Sequence, residues 1–335
     1  MTPRSISRRR LLGTTVAAGA TLIARPMIAR ADTKEVLIAE PVHGTGYLPL
    51  YIGMAKNLFE DVAVKIVTIE TGAGHTNAVL SGAAFAFIGG PEHCAFAKIK
   101  GAELRAVVNC VDRGNVYFCA AKGQEPANTD WPGYFKGKTI ATSGFGGTPN
   151  SITRYLLKKW NLDATSDVTL VETANSAILP AVRNKQAQIG CSTEPFITQG
   201  VRSGAWGEPF INIPKEMGPY AYSTFNVRLD TIQKDPELVR GFVRGMMKSL
   251  KFVHDNHDEA AELAKTQFPT MALDDLKATL NRSFADDMWS QDGTISPAAW
   301  DTAKAVVMGA GILKVDVKYD EIIDMSFVDG LKASL

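Results

Sequence analysis

Five short segments mix glycine with hydroxyl, amide, carboxyl or imidazole side chains. They are His43-Gly44-Thr45-Gly46, Thr71-Gly72-Ala73-Gly74-His75-Thr76-Asn77, Gly89-Gly90-Pro91-Glu92-His93, Ser143-Gly144-Phe145-Gly146-Gly147-Thr148 and Thr173-Ala174-Asn175-Ser176. Glycine lets a backbone approach a ligand closely. A helix that starts at such a turn offers unpaired N–H groups and a partial positive charge. Several of these ends around one cleft would hold a small anion or polar group. Each hydroxyl taken singly, Thr76, Ser143, Thr148 or Ser176, fits a helix cap equally well. Their concentration at the starts of successive helices is what points to a binding cleft.

The candidate contacts follow from those turns. His43 and His75 would offer polar contacts, and Glu92 and Glu194 would accept from an amine or hydroxyl, or cap their helices. Tyr47 and Tyr222 could wall the cleft, with Phe145, Phe196 and Tyr220, although aromatic residues also build cores. Gly46, Gly90, Pro91, Gly146 and Gly147 would bring backbone close, and Thr76, Ser143, Thr148 and Asn175 would supply hydrogen bonds. Arg113, at an expected crossover, could pair with an anion. Helix ends and Arg113 suit a sulfonate or carboxylate; the His and Tyr content suits an aromatic or heterocyclic solute. The residues leave both open.

Other chemistries lack their residues. No G-x-S-x-G elbow is present. The run at 144–147 is followed by Pro149 where a dinucleotide fingerprint needs its third glycine, and no Gly-Lys-Ser/Thr follows. His93 and Cys94 are neighbours in sequence, which is not catalytic geometry. No C-x-x-C occurs, and His254 and His257, spaced for a metal, lie on a charged helix end. No metal, cofactor or catalytic residue is therefore expected. The cysteines, Cys94, Cys110, Cys119 and Cys191, allow three full pairings. A Cys110–Cys119 bridge between facing strand ends stands beside the alternative of buried free thiols.

The elements that would position these turns alternate. Strands are expected at Glu35–Glu40, Val62–Ile69, Phe85–Gly89 and Arg105–Val111, with helices at Tyr47–Asn57, His75–Ser81 and Pro91–Lys100, an order that builds a parallel-rich α/β sheet. The order returns about 100 residues later. Asn57-Leu58 is echoed by Asn161-Leu162, Ile69-Glu70-Thr71 by Val171-Glu172-Thr173, Ala78-Val79 by Ala181-Val182, and Ile88-Gly89 by Ile189-Gly190, at offsets of 104, 102, 103 and 101 residues. So steady an offset implies two similar lobes. From Pro236 onward helices follow one another without strands, at Pro236–His254, Asp258–Gln267, Leu273–Arg282, Pro297–Met308 and Ser326–Lys332. They are expected to complete the first lobe, with the chain leaving it near Val111 and returning near Tyr220.

The chain has 335 residues, 45% hydrophobic and 21% charged, as in globular proteins. Ser7-Arg8-Arg9-Arg10-Leu11-Leu12 carries a twin-arginine pair, Leu11–Ala24 is an apolar stretch too short to span a bilayer, and Ala29-Arg30-Ala31 is a small-x-small cleavage site. Residues 1–31 therefore read as a twin-arginine-type signal peptide, with the general secretory route also open. They hold six Arg and no Lys, Asp or Glu, so the remaining chain has 30 basic and 35 acidic side chains, a net of −5. That balance gives no broad attraction for nucleic acid. The expectation is a periplasmic, soluble protein without a lipid-anchored cysteine.

Together these residues resemble the solute-binding proteins of ABC importers, specifically the nitrate/sulfonate/taurine-type family, which also contains thiamine-pyrimidine-precursor binders. The resemblance is carried by Gly46-Tyr47-Leu48-Pro49-Leu50-Tyr51-Ile52-Gly53-Met54-Ala55-Lys56-Asn57-Leu58-Phe59, by Ala78–Ala86, by Gly89-Gly90-Pro91, by Lys138-Thr139-Ile140-Ala141 with the glycine-rich turn, and by Ala181–Gly190 with Glu194-Pro195-Phe196, over roughly residues 35–255. Asn57 replaces the usual helix-closing Gly, Gln188 stands where an Asp is frequent, and His75 occupies a turn that often carries Ser. The resemblance implies a type II periplasmic-binding-protein fold, two doubly wound lobes joined by a two-segment hinge: residues 32–112 plus 221–335, and residues 113–220. It implies a monomer that closes on a small solute and is read by an ABC permease in the inner membrane. An enzyme of the thiamine-pyrimidine-synthase-like branch, which carries a cysteine cluster not found here, and a solute sensor for a signalling partner are the alternatives.

Overall fold

The structure is a computed structural model that describes residues 34–60, 62–70 and 73–334. The expected signal peptide, 1–31, and two turn residues, Thr71 and Gly72, lie outside the described residues. The first sheet starts from β1 (Lys34–Glu40), α1 (Leu48–Ala55), β2 (Val62–Thr68), α2 (Gly74–Leu80), β3 (Ala86–Gly89), α3 (Glu92–Lys98) and β4 (Leu104–Arg113). β1 pairs in parallel with β2 and β3. Its Val36, Ile38 and Ala39 are buried, as a strand covered on both faces requires.

The second sheet is built from β5 (Tyr117–Ala120), β6 (Thr139–Ser143), α5 (Thr148–Lys159), β7 (Thr169–Thr173), α6 (Ile178–Arg183), β8 (Ile189–Ser192) and β9 (Ile211–Asn212), with α4 (Trp131–Phe135) and α7 (Phe196–Arg202) between them. A short α8 (Ile213–Met217) then leads into β10 (Pro219–Arg228). β10 returns to the first sheet, antiparallel between β3 and β4. The sheet orders are β2-β1-β3-β10-β4 and β7-β6-β8-β5-β9. The two are equivalent position by position: three parallel strands, then a strand antiparallel to them, then one more antiparallel to that. The internal repeat in the sequence thus corresponds to one topology built twice. One detail differs: Ile189-Gly190 opens β8, whereas Ile88-Gly89 closes β3.

Both echoed Asn residues close helices in the left-handed region, Asn57 at φ 53° and Asn161 at φ 57°. The next N–H reaches back across the last turn in each, from Leu58 to the Gly53 carbonyl and from Leu162 to the Leu157 carbonyl, both at 2.8 Å. Asn tolerates this conformation better than other residues with a Cβ, so it replaces Gly at little cost. α1 starts at Leu48, one residue later than expected, because Thr45–Tyr47 winds as a tighter 3₁₀ turn.

The C-terminal helices are α9 (Leu229–Lys234), α10 (Pro236–Asp255), α11 (His257–Ala264), α12 (Leu273–Ala285), α13 (Pro297–Gly309) and α14 (Ser326–Leu331). Asp235 caps α10 by accepting from the Leu238 N–H at 3.2 Å. The α10 stripe of Val239, Phe242, Val243, Met246, Leu250 and Val253 is buried. α1 lies close on it: a Cβ on Gly53 would overlap the Ser249 hydroxyl and the Phe59 ring. All four cysteines are buried free thiols. Among the described residues no helix is long and apolar enough to cross a membrane.

Candidate functional site

A cavity of about 70 Å³ lies at the carboxyl ends of the parallel strands of both sheets. On the first sheet, Pro41, Val42, Gly44, Gly46 and Tyr47 follow β1, Glu70 and His75 follow β2, and Gly89 and Gly90 end β3. On the second, Ser143, Gly144, Gly147, Thr148 and Pro149 follow β6, Thr173 and Asn175 follow β7, and Thr193 and Glu194 follow β8. Asn115, between β4 and β5, and Tyr222 and Ser223 of β10 close the back, where the chain crosses between sheets. All six parallel strands thus deliver residues to one space, as open α/β sheets do at their ligand sites.

Polar groups are tied across this space. The Thr148 hydroxyl, at the start of α5, donates to Glu92 Oε1, at the start of α3, at 2.7 Å. The Ser176 hydroxyl donates to Glu70 Oε2 at 2.6 Å. Glu92 is fully buried, and burial, only partly opposed by the Thr148 hydrogen bond, pushes its pKa up to about 7. A Cβ at position 90 would overlap this carboxyl, so any larger residue there would have to displace it. Glu194 accepts from the Thr198 N–H at 3.0 Å and the Thr198 hydroxyl at 2.8 Å, and from Arg282 Nε at 3.0 Å. Burial outweighs these partners and raises its pKa to about 7 as well.

Two imidazoles are buried, those of His75 and His93. His75 and His93 pack edge to face with ring centroids 4.8 Å apart. Burial, with the neighbouring His93, holds the His75 pKa well below its ordinary value, and burial lowers that of His93 to about 4. Neither ring nitrogen of His75 has a hydrogen-bond partner, and neither does Oδ1 of Asn115 or of Asn175 or Oε2 of Glu92. A side chain on Gly46 would press on the Asn115 amide at 2.5 Å, so Gly46 is what lets Asn115 reach the cavity wall.

Of the residues expected from sequence, Gly46, Tyr47, His75, Gly90, Ser143, Gly147, Thr148, Asn175, Glu194 and Tyr222 line this cavity. Glu92 sits immediately behind Gly90, and Pro91 is the N-cap of α3. Thr76, Phe145 and Gly146 line instead a neighbouring groove of about 330 Å³, which shares His93 with the first. Phe145 is 59% exposed there, under the Arg154 guanidinium.

Two expectations are corrected. His43 is turned away: its Nδ1 lies 2.8 Å from Glu40 Oε1, its Nε2 3.2 Å from the Gln267 carbonyl, and it packs on Tyr51 and Phe268. Arg113 does not face the cavity but pairs with the adjacent Asp112 at 3.2 Å. Asn115, Thr193, Ser223 and Glu70 join the lining without being marked in the sequence. Asn115 and Ser223 stand on the crossing segments, where no glycine cluster signals them. Among the described residues no group of three His, Cys, Asp or Glu is placed to hold a metal ion.

Known proteins share this architecture. A candidate binding protein of Bacillus subtilis strain 168, YtlA, is 22% identical over 303 residues, covering 88% of this chain and 89% of that protein. A ligand-binding component of an ABC-type import system from Staphylococcus aureus, solved with zinc bound, superposes with a TM-score of 0.73 at 15% identity, covering 90% of this chain and all of the other. The alkanesulfonate-binding protein SsuA of Xanthomonas axonopodis pv. citri, bound to MOPS, gives 0.70 at 14% identity, covering 87% and 98%. The fold is the type II periplasmic-binding-protein fold. The family model described as NMT1/THI5 like matches residues 45–260, almost two thirds of the sequence, and the chain belongs to that family.

Proposed function

We propose that this protein is the solute-capturing subunit of an ABC-type import system. The observation that carries this reading is the cavity fed by the ends of three parallel strands from each sheet. The two sheets are the cores of two lobes, residues 32–112 plus 221–335 and residues 113–220, and the crossings at β4–β5 and α8–β10 form the hinge. The Thr148–Glu92 and Ser176–Glu70 hydrogen bonds join the two sides across the cleft, as a closed form requires. A solute drives closure only if it binds the closed form better than the open one. Closure then presents both lobes at once to a membrane permease. The relatives that superpose are binding proteins, which supports capture and release of the solute without chemistry on it. Residues 1–31 direct export to the periplasm, where the chain acts as a monomer.

A thermal-shift screen tests this. A solute at about 100 times its dissociation constant stabilises the folded state by about 2.7 kcal/mol. Asn175 lines the mouth and is only half buried, so Asn175→Trp fills the cavity without touching the core. The shift is expected in the parent protein and lost in this variant; the same shift in both would remove the cleft from the site.

A further inference from the structure

The strand-end cavity is small for a receptor site. Its volume is about 70 Å³, whereas small-molecule sites generally start at roughly 300 Å³. The neighbouring groove has about 330 Å³. Its walls are largely apolar: Leu80 of α2, Phe96 and Ala97 of α3, Ile99, Phe145 and Ile312. Lys100 is the one charged side chain that lines it among the described residues.

One set of turns divides the two spaces. His93 lines both. At the start of α2, His75 lines the cavity and the next residue, Thr76, lines the groove. In the turn between β6 and α5, Gly144 and Gly147 line the cavity, and Phe145 and Gly146 between them line the groove. The groove therefore takes its walls from both sheets' turns, as the cavity does. Four large apolar side chains are exposed among the described residues, and two of them, Phe145 and Ile99, stand here on opposite walls. The Arg154 guanidinium lies 5.1 Å from the Phe145 ring centroid and holds that ring in place. Apolar surface left in water beside a polar pocket is surface that an apolar ligand group gains by covering.

We propose that the solute is amphipathic: a compact polar head sits in the cavity, and an aliphatic or aromatic arm runs past His93 into the groove, between Phe145 and Ile99. This rests on the solute-capture reading and adds a length and a shape to it. The occupant is the solute rather than a segment of another protein, because the groove continues the cavity residue by residue and the cavity alone is too small. An arm that touches Phe145 on one side and Ile99 on the other bridges the two lobes, so it favours the closed form over the open one.

Homologous series with a fixed head and a growing tail provide the test: acetate to octanoate, methanesulfonate to octanesulfonate, and acetamide to octanamide. Each member is titrated calorimetrically into the whole mature protein. In at least one series affinity is expected to rise roughly two- to four-fold per added methylene. The double variant Phe145→Ser, Ile99→Ser changes exposed side chains only, and its melting temperature without ligand reports folding separately. It is expected to flatten the rise and to leave the shortest member that binds unchanged. Anilinonaphthalenesulfonate gives a second readout that does not depend on the head: its fluorescence is expected to rise on the parent and not on the double variant. Affinity that is flat or falls with length in every series overturns the solute arm and leaves capture in the cavity standing, and dye binding in that case shows that the groove takes another occupant. A rise that persists in the double variant overturns the assignment to this groove. If no member of any series binds, the arm and solute capture both fall.

Discussion

Thr148 donates its hydroxyl to Glu92 Oε1 at 2.7 Å, joining the helix that follows β6 to the helix that follows β3. Sequence separates the two by 56 positions and the cleft separates their sheets. Glu92 is completely buried, so this hydrogen bond ties a buried carboxyl on one side of the cleft to a hydroxyl on the other.

Removing the donor takes away the Glu92 carboxyl's side-chain partner and leaves only its own backbone N–H. Thr148→Val is expected to lower stability by roughly 1–3 kcal/mol, while Thr148→Ser keeps the hydroxyl and most of the stability. Urea denaturation of the three proteins at one pH checks this. Equal midpoints would show that the contact contributes nothing.

Burial also gives each buried carboxyl a definite pH dependence. Glu92 and Glu194 both have folded pKa values near 7, raised from an ordinary 4.5. Between these values the folded state holds more protons on these two carboxyls than the unfolded state does, so their contribution to stability falls as pH rises from about 4.5 to about 7, against the buried His75 and His93, whose lowered pKa values make their contribution rise with pH up to about 6.5. Glu92→Gln removes its share of that loss. Its stability relative to the parent is expected to rise by roughly 3 kcal/mol between about pH 4.5 and about pH 7, because each pH unit in that window costs the Glu92 carboxyl about 1.36 kcal/mol. Denaturation curves at several pH values check the slope, and parallel profiles would contradict it.

The helix ends at Asn57 and Asn161 are legible from the chain because a left-handed closing residue leaves a local mark: Asn followed by an apolar residue. The strand–helix alternation and its repeat are legible for the same reason, since periodicity and turn residues act within a few positions. The glycine-bearing half of the site follows from them. His43 is not legible, because its second partner, the Gln267 carbonyl, comes from more than 200 positions away. Arg113 misleads because a crossover suggests a cleft, while its nearest carboxylate is the residue before it. Asn115 and Ser223 leave no local mark, since only the double crossing between sheets brings them to the cleft wall.

At those helix ends, a Cβ without a compensating side chain is penalised. Asn57→Ala and Asn161→Ala are each expected to cost about 1 kcal/mol, and Asn→Gly at either site to change stability by less than about 0.5 kcal/mol. Thermal melts of the four variants check the ranking, and Ala equal to Gly would contradict the left-handed assignment.

The four buried thiols should be chemically silent until the protein unfolds. Ellman's reagent is expected to find no reactive thiol in the folded protein and all four in strong denaturant without reductant, because all four side chains are buried and unbridged. Fewer than four after unfolding would reveal a disulfide.

The most direct test of the cleft is a calorimetric titration of the tightest-binding solute into the parent protein and into Asn175→Trp. One site per chain is expected in the parent, with at least a hundred-fold loss of affinity in the variant and an unchanged melting temperature without solute. Equal affinity in the two proteins would place the solute elsewhere and contradict capture between the sheets.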